Sequence, residues 1–298
     1  MTDRHEHDQG LQYDLALMMQ RNADRRRALS WLLAGGSAAL LASCGGSGSD
    51  TSASASSSGG TGSSSSSSSS SSGGTGVTSC IANATETNGP YPSDGSNTVN
   101  GVVSNVLLQS GVVRSDIRSS FGSSTSTAPG VPLTLKLSVV NSNNNCAALS
   151  GYAIYLWHCT RDGAYSLYSS AVQNENYLRG VQVTDANGEA TFTSIFPGCY
   201  SGRYPHIHFE VYPSLSMATL YTNRILVSQM ALPRDICSTV YGSATGYSAS
   251  VNNLAAVTIA NDGVFGDNST AQMTQMTPVL SGDVSAGYNG TILVGVPV

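Results

Sequence analysis

Positive charge is the scarcest property of this chain. Only 10% of the 298 residues are charged, the net charge is −5, and Lys136 is the single lysine. A protein that follows a phosphate backbone needs clustered lysine and arginine, so this composition excludes nucleic-acid binding. Apolar residues make up 40% of the chain and there are 32 glycines. That balance predicts one folded domain accompanied by low-complexity sequence.

The chain also lacks a hydrophobic run long enough to span a membrane. The apolar stretch 31–41 is too short to cross a bilayer core of about 30 Å as a helix. It follows Arg25-Arg26-Arg27, as the apolar core of an export signal does. The arginine cluster resembles a twin-arginine signal, and the general secretory route stays open.

A cysteine ends this leader. Leu41-Ala42-Ser43-Cys44 is similar to a bacterial lipoprotein box, in which Cys44 becomes the lipidated N-terminus of the mature protein. We therefore expect residues 1–44 to direct export and the protein to be lipid-anchored at the bacterial cell envelope, on its periplasmic or extracytoplasmic face. An ordinary signal peptide with an incidental cysteine is the alternative.

Large apolar residues are missing from residues 45–76, which consist almost entirely of Ser, Gly, Thr and Ala. Such a segment cannot form a core, and it is predicted to be a disordered, flexible tether. As a coil it would span roughly 30 Å. Residues 77–298 are then predicted to form the folded domain.

Short apolar segments separated by Gly, Asn, Asp and Ser recur through this domain. Val131–Val140 alternates apolar and polar residues, Tyr152–Trp157 is largely apolar, and Gln182–Phe192 resembles a hairpin about Asn187-Gly188. Three later segments also have the length and residue types of strands: 225–230, 256–259 and 291–296. No long amphipathic helix is evident. The pattern predicts an all-β, mostly antiparallel β-sandwich.

Five cysteines remain in the domain if Cys44 carries lipid. An odd number in an oxidising compartment predicts two disulfides and one free thiol, and the pairing stays open. The candidates are Cys80, Cys146, Cys159, Cys199 and Cys237.

The segment 197–209 carries the densest chemistry. It contains Tyr200, Arg203, His206 and His208. Alternate residues of a strand share a face, so His206 and His208 point the same way and form a metal clamp. Taken alone, a His-x-His pair is also compatible with two ordinary buried or surface imidazoles, or with a zinc or copper site.

A second segment upstream makes the pattern specific. The motifs Trp157-x5-Gly163-x-Tyr165, Pro197-Gly198-x-Tyr200 and Arg203-x-Pro205-His206-Ile207-His208 together resemble the intradiol ring-cleaving dioxygenases. This is the family of catechol 1,2-dioxygenase and protocatechuate 3,4-dioxygenase. The resemblance extends over about residues 80–298, with its sharp motifs within 157–208. It implies a β-sandwich, the class that the strand pattern also predicts.

The resemblance implies a ferric iron held by two phenolates and two imidazoles. The residues at the family's ligand positions are Tyr165 and His206, equatorial, and Tyr200 and His208, axial. Fe(III) is a hard cation that can deprotonate tyrosine, whose free pKa is about 10. Sulfur is not expected to bind the metal, and His158 is expected to point away from Tyr165.

Three further residues match family positions that face the substrate. Arg203 matches an arginine that opposes negative charge on the ring, Gln229 matches an outer glutamine, and Tyr91 lies in a Thr-x-Gly-Pro-Tyr segment over the mouth of the site. Tyr200 is also implied to leave the metal as a base for a substrate proton. Structural roles for Arg203 and Tyr91 are the alternatives.

The reaction implied is cleavage of a catechol-type ring by O2 between its two hydroxyl-bearing carbons, which gives a cis,cis-muconate-type diacid. Two other functions remain open at this stage. The domain could be a lipid-tethered, non-catalytic metal-binding module, or a zinc or copper enzyme built on His206 and His208.

Overall fold

The computed structural model describes residues 80–298, and the predicted export signal, Cys44 and the tether lie outside this range. The strands are β1 (Asp94–Val99), β2 (Val102–Asn105), β3 (Pro132–Asn141), β4 (Ala147–Ala148), β5 (Ala153–Trp157), β6 (Arg179–Val183), β7 (Glu189–Ile195), β8 (His206–Tyr212), β9 (Leu226–Ala231), β10 (Val279–Asp283) and β11 (Gly287–Val296). The helices are α1 (Arg234–Ser243), α2 (Ser248–Ala256) and α3 (Thr270–Met276).

Two sheets carry most of the strands. One has the order β6-β5-β8-β9 and is antiparallel throughout. The other has the order β10-β11-β3-β4, and β7 pairs with β3 as well. Within it β11 and β3 are parallel. Strands β1 and β2 form a separate antiparallel ribbon. The prediction of a mostly antiparallel β-sandwich is confirmed.

The inner faces of the two sheets share one hydrophobic core. Leu135, Leu137 and Phe192 from the β3–β7 sheet meet Ile207 and Phe209 of β8, and all five side chains are fully buried. Burying each such side chain contributes about 1.5–3 kcal/mol. Because successive side chains of β8 alternate between its two faces, the other face carries His206, His208, Glu210 and Tyr212.

This second face of the β8 sheet is covered as well. Tyr155 and Trp157 of β5 pack there with Tyr165, Tyr200 and Tyr212, and Val106 and Leu107 after β2 close over them. Every residue of β8 is therefore buried. Because this buried face of β8 carries polar side chains, it is the expected place for a functional site.

Two sequence-based expectations about strands are wrong. The turn about Asn187-Gly188 does form, with Gly188 at φ +74°, but its arms do not pair with each other. The first arm, β6, pairs with β5, and the second, β7, pairs with β3 in the other sheet. The turn is thus a connection between sheets.

The predicted strand at 256–259 is also absent. Ala256 ends helix α2, and Arg234 donates hydrogen bonds to the carbonyls of Leu254 (2.9 Å) and Val257 (2.7 Å). Those backbone acceptors at the helix end are satisfied by a side chain instead of a neighbouring strand.

Cys80 and Cys146 form a disulfide, whereas Cys159, Cys199 and Cys237 are buried free thiols. The expectation of two disulfides is wrong. The thiols of Cys159 and Cys199 instead donate to the carbonyls of Gly198 and Arg203, both at 3.5 Å. In residues 80–298, no helix has both the length and the apolar character that a membrane crossing requires.

Candidate metal centre

The two histidines of β8 approach each other closely on the buried outer face of the sheet. The Nε2 atoms of His206 and His208 are 3.1 Å apart, and both side chains are about 2% exposed. Their shared orientation follows from the strand period, since the intervening Ile207 points into the core.

Two phenols reach the same point from loops on either side. Tyr165 follows β5 and places its Oη 3.4 Å from His206 Nε2, while Tyr200 precedes β8 and places its Oη 3.1 Å from the same atom. The structure therefore brings all four predicted ligand residues together. Their donor atoms converge on one small volume.

The loops that carry these phenols depend on a glycine. Gly198 donates its N–H to the carbonyl of Thr160 at 3.0 Å, which joins the loop before Tyr200 to the loop before Tyr165. A Cβ at position 198 would overlap the carbonyl oxygen of Arg161. Only glycine permits this close approach of backbones.

The outer contacts of the histidines differ. His206 Nδ1 lies 2.6 Å from the carbonyl oxygen of Tyr204, so Nδ1 carries the proton and Nε2 presents its lone pair. His208 instead stacks on Trp157, with ring centroids 4.8 Å apart and an interplanar angle of 5°. Its Nδ1 is buried without a hydrogen-bond partner.

Burial controls protonation in this cluster. It lowers the pKa of His206 to about 3, with the nearby Arg203 charge adding to the effect, and lowers the pKa of His208 well below its usual value. Burial also raises the pKa of Tyr200 to about 12 and raises the pKa of Tyr165 well above its usual value. In the absence of a cation, all four groups are uncharged at neutral pH.

The donor set fits a ferric ion. Atoms bound at about 2.1 Å to one metal and at right angles lie about 3 Å apart, which matches the 3.1 Å separations at His206 Nε2. Two phenols that become phenolates would also offset the charge of a trivalent cation in a buried place. No group of three or more His, Cys, Asp or Glu in the described residues could hold a metal, so the imidazoles depend on these phenols.

Arg203 is held in a buried chain of polar contacts beside this cluster. Its Nε donates to Asp262 Oδ2 at 3.0 Å, and its Nη2 donates to Gln229 Oε1 at 2.6 Å. Gln229 Nε2 donates in turn to the carbonyl of Thr87 at 2.8 Å. Arg203 is 4% exposed and the side chain of Asp262 is fully buried. The guanidinium is thereby fixed in orientation.

Asp262 compensates the charge of Arg203. Its carboxylate also accepts from the backbone N–H of Tyr204 at 2.7 Å and from Val264 and Phe265 at 2.9 Å. Burial opposes ionisation, but the guanidinium and these N–H groups outweigh it and lower the pKa of Asp262 below its usual value. Sequence patterns do not predict Asp262 as a partner, because it lies 59 positions from Arg203 in a loop with no motif.

The predicted mouth segment lies against the cluster. Gly89, at φ +71°, passes so close to His208 that a Cβ there would lie 3.2 Å from the ring Cε1. The Tyr91 ring is 4.9 Å from that of Tyr165 and 5.2 Å from that of Tyr168. Gln229 anchors this segment through Thr87, as described above. The predicted residues Tyr91, Arg203 and Gln229 are all near the four donors.

His158 lies elsewhere. Its Nε2 contacts Ser194 Oγ of β7 at 2.6 Å and its Nδ1 contacts the carbonyl of Cys159 at 2.7 Å. Both ring nitrogens are thus occupied within the sandwich. Burial raises the pKa of the Cys159 and Cys199 thiols to about 12, so they remain neutral hydrogen-bond donors.

Comparisons with known proteins bear on the same region. A dioxygenase family model matches residues 115–262. An intradiol ring-cleavage dioxygenase structure from Tetranychus urticae is 20% identical, covers 74% of this chain and 96% of its own, and has a TM-score of 0.56. A second solved structure, of a dioxygenase, is also 20% identical with coverage of 74% and 96% and a TM-score of 0.52. No curated protein matches the chain. The structural likenesses establish the fold.

Proposed function

We propose, from the premise that this chain belongs to the intradiol ring-cleavage dioxygenase family, that it is a non-haem Fe(III) enzyme acting on a catechol-type substrate. It uses O2 to open the ring between the two hydroxyl-bearing carbons. Both oxygen atoms enter the product, a cis,cis-muconate-type diacid. One observation carries this proposal. Two phenol oxygens and the Nε2 atom of His208 all lie within 3.4 Å of His206 Nε2.

Tyr165, Tyr200, His206 and His208 would hold the iron. When bound, ferric iron would act as a Lewis acid that activates a catechol-type ring for reaction with O2. As the phenolate that iron binding would produce, Tyr200 Oη would serve as a base that takes a proton from a substrate hydroxyl and so becomes a neutral phenol. His206 is held in the required tautomer by the carbonyl of Tyr204, and Trp157 fixes the plane of the His208 ring.

Arg203 supplies the fixed positive charge of the site. A guanidinium cannot donate a lone pair to a metal, so its contribution is to oppose the negative charge that grows on the ring as oxygen adds. Asp262 and Gln229 hold it by two hydrogen bonds, at 3.0 and 2.6 Å. The segment from Thr87 to Tyr91 covers the site and limits access of water.

Oxygen uptake by iron-loaded protein tests the proposal. With catechol supplied, the wild-type protein is expected to consume one O2 per ring and release the diacid, and Tyr165→Phe is expected to be impaired in iron binding and turnover. Asp283→Asn, at the last residue of β10, is a control outside the site. Full iron loading with no oxygen uptake on any catechol would contradict the proposal and favour a non-catalytic metal-binding module. Tight zinc or copper binding with exclusion of iron would favour the other alternative.

We also propose that the chain is exported and held at the cell envelope through lipid on Cys44. The support is the sequence Leu41-Ala42-Ser43-Cys44 followed by the tether 45–76. A Cys44→Ser protein is expected to leave the membrane fraction. If the wild-type protein already fractionates without membrane, this part of the proposal is wrong.

A further inference from the structure

Arg179 joins the loop that carries Tyr165 to the end of the mouth segment 87–91. It is the first residue of β6, and its side chain is fully buried. Its Nε donates to Ser166 Oγ and its Nη2 donates to the carbonyl of Ser166, each at 3.0 Å. Its Nη1 donates to the carbonyl of Pro92 at 3.0 Å and to Tyr155 Oη at 3.1 Å. A single side chain thus holds two separate segments and a neighbouring strand.

The hydrogen-bond partners of Arg179 among the described residues are all uncharged. An arginine keeps its positive charge inside a protein, and burying a charge without an acid to receive its hydrogen bonds is costly. The ring centroid of Tyr168 lies 5.4 Å from the guanidinium carbon and offsets part of that cost. A smaller polar side chain would avoid the cost, but it lacks the planar fork of donors that reaches both segments. The charge is therefore explained by the geometry that the guanidinium provides.

Arg179 also belongs to a row of four residues that crosses the sheet β6-β5-β8-β9. The strand register places Arg179 opposite Trp157 and Trp157 opposite His208. It also places His208 opposite Gln229. Residues directly opposite each other on neighbouring strands have their side chains on the same face. Arg179 and Gln229 are therefore the two ends of the row that contains the predicted ligand His208.

The mouth segment lies across this row and is anchored at both ends. At one end Gln229 Nε2 donates to the carbonyl of Thr87 at 2.8 Å. At the other end the carbonyl of Pro92 accepts from Arg179, and Tyr155 Oη donates to the same carbonyl at 2.7 Å. Weaker anchoring at Pro92 would loosen the end of the segment that carries its aromatic ring.

Building on the function proposed above, we infer that Arg179 is a positioning residue that sets the gap between Tyr91 and Tyr165. Through Ser166 it fixes the loop of the predicted ligand Tyr165. Through Pro92 it fixes Tyr91, whose ring centroid is 4.9 Å from that of Tyr165. The contact with Ser166 serves iron binding, and the contact with Pro92 serves substrate binding at the mouth. Arg179 acts through these two tyrosines.

Two substitutions separate these effects. Ser166→Ala removes the hydroxyl that accepts from Arg179 Nε and leaves the contact with Pro92. It is expected to weaken iron retention in a chelator titration and to shift the visible band of the iron-loaded protein, with KM for catechol unchanged. Tyr155→Phe removes one of the two donors to Pro92 and leaves both contacts with Ser166. It is expected to keep iron and colour and to raise KM for catechol about two- to tenfold.

A conservative change at Arg179 itself combines the two effects. Arg179→Lys keeps the positive charge, but an ammonium group cannot reach both segments at once. It is expected to shift the band and to raise KM together. If Arg179→Lys does not fold, the two hydroxyl substitutions still carry the test.

Matched losses of buried hydroxyls elsewhere in the domain are the controls. Ser194→Ala removes a buried hydroxyl that contacts His158 Nε2 at 2.6 Å. Tyr247→Phe removes a buried phenol hydroxyl that makes two hydrogen bonds, at 2.7 and 3.1 Å, as the hydroxyl of Tyr155 does. Both controls are expected to lower Tm and to leave the band, iron retention and KM as in the wild type.

The inference is overturned if the substitutions at Arg179, Ser166 and Tyr155 behave like the controls, because Arg179 would then serve stability alone. It is also overturned if Ser166→Ala changes only KM, or if Tyr155→Phe changes only the band. If the iron-loaded wild type turns over no catechol, the proposed reaction fails on its own. The band and the chelator titration then still test the Ser166 contact, and calorimetric binding of catechol tests the contact with Pro92.

Discussion

Removal of Arg203 should separate catalysis from iron binding. In Arg203→Ala, the four donor residues keep their positions because none of them is anchored by the guanidinium. The colour and iron content of the protein are therefore expected to persist. Turnover is expected to fall, because no other described group supplies a positive charge at this position.

The structure allows two magnitudes to be worked out for Arg203→Ala, the loss of turnover and the loss of stability. Loss of one oriented charge donor at a reacting centre typically lowers turnover about 100- to 1,000-fold. Breaking a buried ion pair typically costs about 3–5 kcal/mol. Asp262 keeps three backbone N–H donors, so the lower end, about 3 kcal/mol, is expected. For a domain of this size that corresponds to a fall in Tm of about 6–12 °C.

A second substitution checks the reasoning. Arg203→Ala combined with Asp262→Asn removes the unpaired carboxylate, so part of the lost stability should return while turnover stays low. The assays are thermal unfolding, iron content and oxygen uptake with catechol. The account would be refuted if Arg203→Ala turned over as fast as wild type, or if the double variant regained turnover along with stability.

Three further changes have defined outcomes. Gly89→Ala places a Cβ 3.2 Å from His208 at φ +71°, so weaker iron retention in a chelator titration is expected, and retention equal to wild type would contradict the close approach. Cys80→Ser with Cys146→Ser opens a loop closed over 66 positions and should lower the free energy of unfolding by about 4 kcal/mol in denaturant titration; an unchanged midpoint would show that the disulfide does not stabilise the fold. Burial raises the pKa of Glu86 from 4.5 to about 7, so the folded state binds more protons in that window. Stability of the wild type should therefore fall from pH 4.5 to 7 relative to Glu86→Gln, and parallel pH profiles would contradict the shift.

Strands and turns that depend on neighbouring residues in the sequence could be predicted. The alternation of Val131–Val140 predicts β3, and the period of two in β8 places His206 and His208 on one face. The Asn187-Gly188 turn was also correctly located. Which strands its arms would join was not, because turn chemistry is local whereas sheet pairing depends on the whole fold.

Contacts between residues that are distant in sequence could not be predicted. Asp262 has no motif around it, and only the folded chain brings it 3.0 Å from Arg203. The short helices α1 and α2 were missed because each buries only a few residues, such as Val240 and Leu254, on an otherwise polar surface. Disulfide pairing likewise followed from distance, which put Cys80 beside Cys146 and left three thiols buried.

The visible absorption spectrum of iron-loaded protein tests the central claim most directly. If Tyr165 and Tyr200 bind Fe(III) as phenolates, the protein should be intensely coloured. Tyr200→Phe should shift the band while sparing some iron, and His206→Ala should abolish both iron and colour. A colourless protein that nevertheless binds one equivalent of ferric iron would contradict ligation by these two tyrosines.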